Sequence, residues 1–172
     1  MSVRFRIPQG DRSGKFSYRA AALILDPARD RILIHQCAGD SYWSLPGGAV
    51  HYGEETADAL RRELIEEIGA PVQVERLLWI AETFFHQPDG FVSEHELAFY
   101  YLCALPPDHP YLTRTTFEGV EDETGEARRL VFRWADRRSA TVAPGLLRDR
   151  LAQPLPASPA HVIHHQSEDA SG

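Results

Sequence analysis

GAVHYGEETADALRRELIEEIGA, residues Gly48 to Ala70, is the stretch that decides how this chain folds. Within it, Glu63, Glu66 and Glu67 fall at i, i+3 and i+4, which on a helix places all three carboxylates on one face, within an arc of about 100°. Ala57, Leu60, Leu64 and Ile68 form the neighbouring apolar stripe and predict that the helix seats on a core. Thr56 is the expected N-cap, Gly69 sits where a left-handed residue closes the helix, and Pro71 stops its continuation.

Like charges packed this closely are costly. At an effective dielectric near 20 and a separation of ~4 Å, each pair repels by roughly 4 kcal/mol. A partly buried cluster therefore calls for cations, and all-oxygen carboxylate ligation suits hard ions such as Mg²⁺ or Mn²⁺. The plainer alternative is a solvated acidic face paired with Arg61 and Arg62.

Immediately upstream, Leu45-Pro46-Gly47-Gly48 is a Cβ-poor turn, and Gly53 precedes Glu54. With these residues the stretch resembles the Nudix box, G-x5-E-x7-R-E-U-x-E-E-x-G-U, where U is a bulky aliphatic residue. Gly48, Glu54, Arg62, Glu63, Leu64, Glu66, Glu67 and Gly69 all fall in register, and only Ala70 departs from the pattern. The resemblance implies a mixed-sheet α/β/α sandwich and a metal-dependent pyrophosphohydrolase, with Mg²⁺ (or Mn²⁺) as cofactor. Its implied substrate is a small phosphorylated nucleotide, a nucleoside diphosphate linked to a further moiety. Carried over by position, Glu63, Glu66, Glu67 and the carbonyl of Gly47 are the expected metal ligands, and Glu63 is also a candidate base. Glu54 and Arg62 are the expected structural ion pair. Many members of the family use a further carboxylate from a loop before the last strand, which points first to Glu123 and then to Glu126, with Glu121 and Asp122 beside them. Dimers are frequent in the family.

At 172 residues the chain is long enough for one substantial core. A single domain is expected over residues 1–152, with 153–172 a C-terminal tail, partly flexible. The net charge of −7 argues against a broad nucleic-acid or anionic-membrane surface. Two cysteines, Cys37 and Cys103, are too few for a disulfide framework and read as reduced thiols of a cytoplasmic protein. The first ten residues hold no apolar run, so neither a signal peptide nor a membrane span is expected.

Residues 11–17 read as a polar lead-in. Tyr18–Leu25 and Arg31–Gln36 are β-type runs around Asp26-Pro27, which predicts an antiparallel hairpin. Val72–Phe85, Glu94–Leu105 and Arg128–Trp134 predict further strands, and Ala143–Ala152 a short helix with Pro144 in its first turn. Arg19 is a candidate phosphate donor, and Tyr18 and Phe85, with Tyr42 and Phe84, are candidates for stacking on a base. Glu96 at the mouth of a strand is a candidate for reaching the metal site. Two readings compete with hydrolysis: a non-catalytic nucleotide sensor on the same fold, and a diphosphate isomerase using Cys37 or Cys103.

Overall fold

The computed structural model describes residues 5–9, 12–121 and 127–167. Its elements in chain order are β1 (Phe5–Gln9), β2 (Arg12–Ile24), β3 (Arg31–Cys37), β4 (Gly47–Ala49), α1 (Thr56–Ile68), β5 (Gln73–His86), β6 (Val92–Ala104), β7 (Thr116–Glu121), β8 (Arg128–Asp136), α2 (Leu146–Ala152) and β9 (Ala160–Ser167), with a short 3₁₀ turn at Pro110–Leu112. A large sheet runs β1-β2-β6-β5-β9, with β4 also paired to β2, and a small sheet runs β3-β8-β7. The large sheet is mixed: β2 is parallel to β6 and β5 to β9, while β5 and β6 are antiparallel.

Strand alternation splits the core in two. Ala20, Ala22 and Ile24 of β2 face one way, onto Leu60, Leu64 and Ile68 of α1 and onto Leu130 and Phe132 of β8. Ala21 and Leu23 face the other way, with Tyr100 and Leu102 of β6, onto Leu146, Leu147 and Leu151 of α2. Each helix thus covers its own face of the large sheet, which gives the α/β/α sandwich.

The structure departs from the sequence reading at five places. Residues 12–17 are the first half of β2, paired to β1, where a lead-in was expected. The anticipated hairpin does form its turn: Asp26 accepts from the backbone N–H of Asp30 and Arg31, each at 3.0 Å. Its two strands nevertheless part after a single bridge, Leu25 to Ile32, and enter different sheets. Ile32, Leu33 and Ile34 are all buried, so β3 needs cover on both faces, and it pairs with β8 instead.

Helix α1 has Glu55 at its N-cap without a side-chain cap, and Thr56 is the first helical residue, its hydroxyl 2.5 Å from that of Tyr101. Gly69 closes the helix at φ 72°, as expected. Helix α2 starts at Leu146 because Ala143 is held in a bridge to Ser44, leaving Pro144 ahead of the helix. The last correction is the C-terminal tail. Ala160–Ser167 forms β9, hydrogen-bonded along the edge of β5, so the sheet extends well past residue 152.

Candidate active site

The glycine turn and α1 meet as one unit. Gly47 lies at φ 129°, and a Cβ there would run into the backbone of Ala20, so the close pairing of β4 on β2 requires glycine. At Gly48 a Cβ would overlap the carboxylate of Glu63, so this glycine makes the room in which that side chain lies. The three box glutamates are buried to very different degrees. Glu67 is 3 % exposed, the Glu63 side chain is largely covered, and the Glu66 side chain is 57 % exposed.

Arg62 is the hub that ties the turn to the helix. It bonds Glu54 in bidentate fashion, Nε to Oε1 and a terminal nitrogen to Oε2, both at 2.9 Å. It also donates to Glu63 Oε1 at 2.7 Å, to the Ala49 carbonyl at 3.0 Å and to Glu66 Oε2 at 3.4 Å. Hydrogen bonds from Arg62, aided by the backbone N–H of His51, hold the Glu54 carboxyl at about 2. Glu54 is therefore an ionised strut beneath the turn.

Glu67 points inward. Its Oε2 accepts from the Gly47 N–H at 3.1 Å, and its Oε1 lies 3.6 Å from Nδ1 of His35. His35 is 6 % exposed, and burial, with the nearby Arg19 charge, lowers its pKa to about 3, so it is neutral. Sequence reasoning missed His35, which directly follows the apolar run Ile32-Leu33-Ile34 on the same strand. Arg19, from β2, donates to the Gly47 carbonyl at 3.3 Å and lies 4.0 Å from Glu96 Oε2.

The oxygen donors Glu63, Glu66, Glu67 and the Gly47 carbonyl suit a hard divalent cation, and the space provided by Gly48 supports that fit. In this arrangement the carboxylates face Arg62 and the Gly47 N–H, and among the described residues no three His, Cys, Asp or Glu side chains enclose a common point. Glu123 and Glu126 lie outside the described residues, as does Asp122.

Beside the turn opens a cleft of about 1280 Å³, bordered by Arg19, Gly47, Gly48, Phe85 and Glu96 on one side and by Trp43 and Arg133 on the other. Arg133 lies over the Trp43 ring at 4.1 Å, a pair the sequence did not suggest. Phe85 and the 51 %-exposed Tyr42 line this cleft. Tyr18 borders it too, but its ring packs edge-on to Phe99 on the α1 side of the sheet. Phe84 is on the opposite face, stacked between His95 at 4.2 Å and His165 at 5.0 Å. Both cysteines are buried, and burial pushes the Cys103 thiol up to about 12, far from a reactive thiolate.

A family model described as "NUDIX domain" matches residues 16–154. Among curated proteins, an RNA pyrophosphohydrolase of Francisella philomiragia is 36 % identical over 89 residues, 50 % of this chain and 56 % of that protein. The low-salt glycan biosynthesis protein Agl8 of Haloferax volcanii is 38 % identical over 69 residues, 39 % of this chain and 44 % of that protein. The match thus spans about half the length of these relatives. Among solved structures, a MutT protein from Bacillus halodurans superposes with a TM-score of 0.59 at 18 % identity, covering 89 % of this chain and 92 % of that one. A NUDIX hydrolase from Nitrosomonas europaea gives 0.55 at 16 % identity, covering 97 % and 96 %. A structure titled UDP-X diphosphatase gives 0.51 at 20 % identity, covering 85 % and 66 %. At these identities the structural likeness speaks for the fold.

Proposed function

The chain belongs to the NUDIX family, and on that premise we propose that it is a divalent-cation-dependent pyrophosphohydrolase acting on a nucleoside diphosphate linked to a further group. The observation that carries this reading is the seam between α1 and the glycine turn. There Glu63, Glu66 and Glu67 are presented beside Gly47–Ala49, and Arg62 clamps both sides. The names of the matched relatives, RNA pyrophosphohydrolase and UDP-X diphosphatase, describe work on the same kind of bond and support the reaction class.

In this reading Glu66, Glu67, Glu63 and the Gly47 carbonyl would hold Mg²⁺ or Mn²⁺. When bound, the cation neutralises the diphosphate and lowers the pKa of water. The chain's own groups do the rest. Arg62 and Glu54 fix the turn against the helix. Arg19, one hydrogen bond from Gly47, is placed to donate to a phosphate oxygen. Glu63, or Glu123, takes a proton from the attacking water as its oxygen bonds phosphorus. The anhydride P–O bond then breaks opposite, and a nucleoside monophosphate leaves. Positioning and electrostatics supply most of what such a transfer requires. A cytoplasmic setting belongs to the same reading, consistent with two cysteines that form no disulfide.

The test is a hydrolysis screen of nucleoside triphosphates, nucleotide sugars, ADP-ribose and dinucleoside polyphosphates, with products resolved by chromatography. Release of a nucleoside monophosphate that needs Mg²⁺ or Mn²⁺ and disappears in Glu67→Gln is the expected result. A folded protein that binds nucleotide yet cleaves nothing in the panel would overturn hydrolysis in favour of a sensor.

A further inference from the structure

The chemistry proposed above gives His35 no part, although its ring lies against the most buried of the box carboxylates. Nδ1 of His35 stands 3.6 Å from Oε1 of Glu67, and both side chains are more than nine-tenths buried. Among the described residues this Nδ1, itself closed to solvent, has no hydrogen-bond partner. Buried polar atoms are nearly always paired. The atom it faces is a carboxylate oxygen, which can only accept.

A ring this deeply buried stays neutral, so one of its nitrogens carries a proton and the other a lone pair. A lone pair on Nδ1 would face those of Glu67 Oε1 in a site closed to water, and the two would repel. A proton on Nδ1 turns the same approach into attraction. The separation exceeds an ordinary N–H···O bond by about 0.6 Å, which a small turn of either side chain closes.

His35 is also anchored independently of α1. Its backbone exchanges two hydrogen bonds with Ser44, donating at 2.9 Å and accepting at 2.8 Å. Its ring lies beside that of Phe132 on β8, with centroids 5.4 Å apart. Glu67 Oε2 is already held by the Gly47 N–H of β4 at 3.1 Å. A donor from β3 on Oε1 would fix the second oxygen and so the plane of the carboxylate. Each oxygen has two lone pairs, so one on each is left for a cation.

We propose that His35, as the tautomer protonated on Nδ1, donates to Glu67 Oε1 and sets the plane of the carboxylate that would hold the cation. His35 is then a positioning residue, acting through Glu67. This rests on the hydrolase reading only for Glu67 being a cation ligand.

Two measurements test it. In EDTA-treated protein, NMR of the histidine ring nitrogens shows which one is protonated, with His35 assigned by the signals lost in His35→Asn. The wild type is expected to carry the His35 proton on Nδ1. In Glu67→Gln the amide oxygen stays on Gly47 and the amide nitrogen turns to His35, so the proton should move to Nε2. Calorimetric titration with Mn²⁺ then compares the wild type with His35→Asn and His35→Leu. Asn keeps an N–H near the place of Nδ1 and should bind Mn²⁺ nearly as tightly as the wild type. Leu has no donor and should bind it about tenfold or more weaker, with both variants folded by circular dichroism. If His35→Leu does not fold, His35→Gln, whose nitrogen falls near the place of Nε2, takes its role. A wild-type proton on Nε2, a Leu variant that binds Mn²⁺ like the wild type, equal weakening by Asn and Leu, or a wild type that binds no Mn²⁺ would each overturn the proposal. The hydrolase reading fails separately: Mn²⁺ binding that depends on His35 without any cleavage keeps the positioning role and loses the reaction. Metal-dependent cleavage with the proton on Nε2 does the opposite.

Discussion

The backbone N–H of Gly47 donates to Oε2 of Glu67 across 3.1 Å. That bond fixes the most buried box carboxylate from the sheet side as well as from its own helix, because Gly47 is itself paired to β2 through Ala21. Helix propensity alone could not hold Glu67 there, since a buried carboxylate needs a donor to face. Gln in its place keeps an oxygen for Gly47 and loses the charge. Glu67→Gln is therefore expected to lower turnover by about a hundredfold or more while the thermal midpoint hardly moves. Measuring both on one preparation decides it; a large stability loss would make Glu67 structural.

The Glu54–Arg62 pair predicts a pH signature. Hydrogen bonds from Arg62 depress the folded-state pKa of Glu54 from 4.5 to about 2. The stability it contributes is thus fully present above about pH 4.5 and is lost as pH falls toward 2. Glu54→Gln should cost about 2 kcal/mol at pH 7, with the gap from wild type closing between pH 4.5 and 2. Urea denaturation at pH 7, 4 and 2.5 measures it, and a gap that ignores pH would remove the ion pair as its cause.

Two glycines should fail in opposite ways. A Cβ on Gly48 meets the end of the Glu63 side chain, which can swing aside, so Gly48→Ala should lose activity with little change in stability. A Cβ on Gly119 meets the backbone carbonyl of Glu67 and the ring of Phe132, neither of which can yield cheaply. Gly119→Ala should therefore cost about 1–3 kcal/mol by overpacking. Matched activity and unfolding measurements on the two variants separate the cases.

Removal of the cation is the third kind of test. Glu63 and Glu66 share Arg62, and Glu67 faces a backbone N–H, so the fold already has partners for all three carboxylates. Chelation with EDTA should abolish hydrolysis and leave the circular dichroism spectrum intact, with activity restored by Mg²⁺ or Mn²⁺. Unfolding on chelation would assign the cation a structural role instead.

The sequence alone determined α1, its left-handed stop at Gly69, and the edge on which Glu63, Glu66 and Glu67 lie, because these depend on contacts three and four residues apart. It also determined most strand positions and the Asp26 turn, which are set by local pattern and turn chemistry. Only the tertiary structure decided which strands pair. The parallel partner of β2 is β6, far along the chain, and nothing in the run Tyr18–Leu25 names it. The same gap hid β9, where the exposed Ile163 stands beside buried Val162 and the next residue on the Val162 face is His164, so apolar and polar residues do not alternate. It also hid the approach of His35 to Glu67. Spacing along the chain fixes what a helix presents, whereas the cleft is assembled by register between distant strands, which the burial of both sheet faces selects.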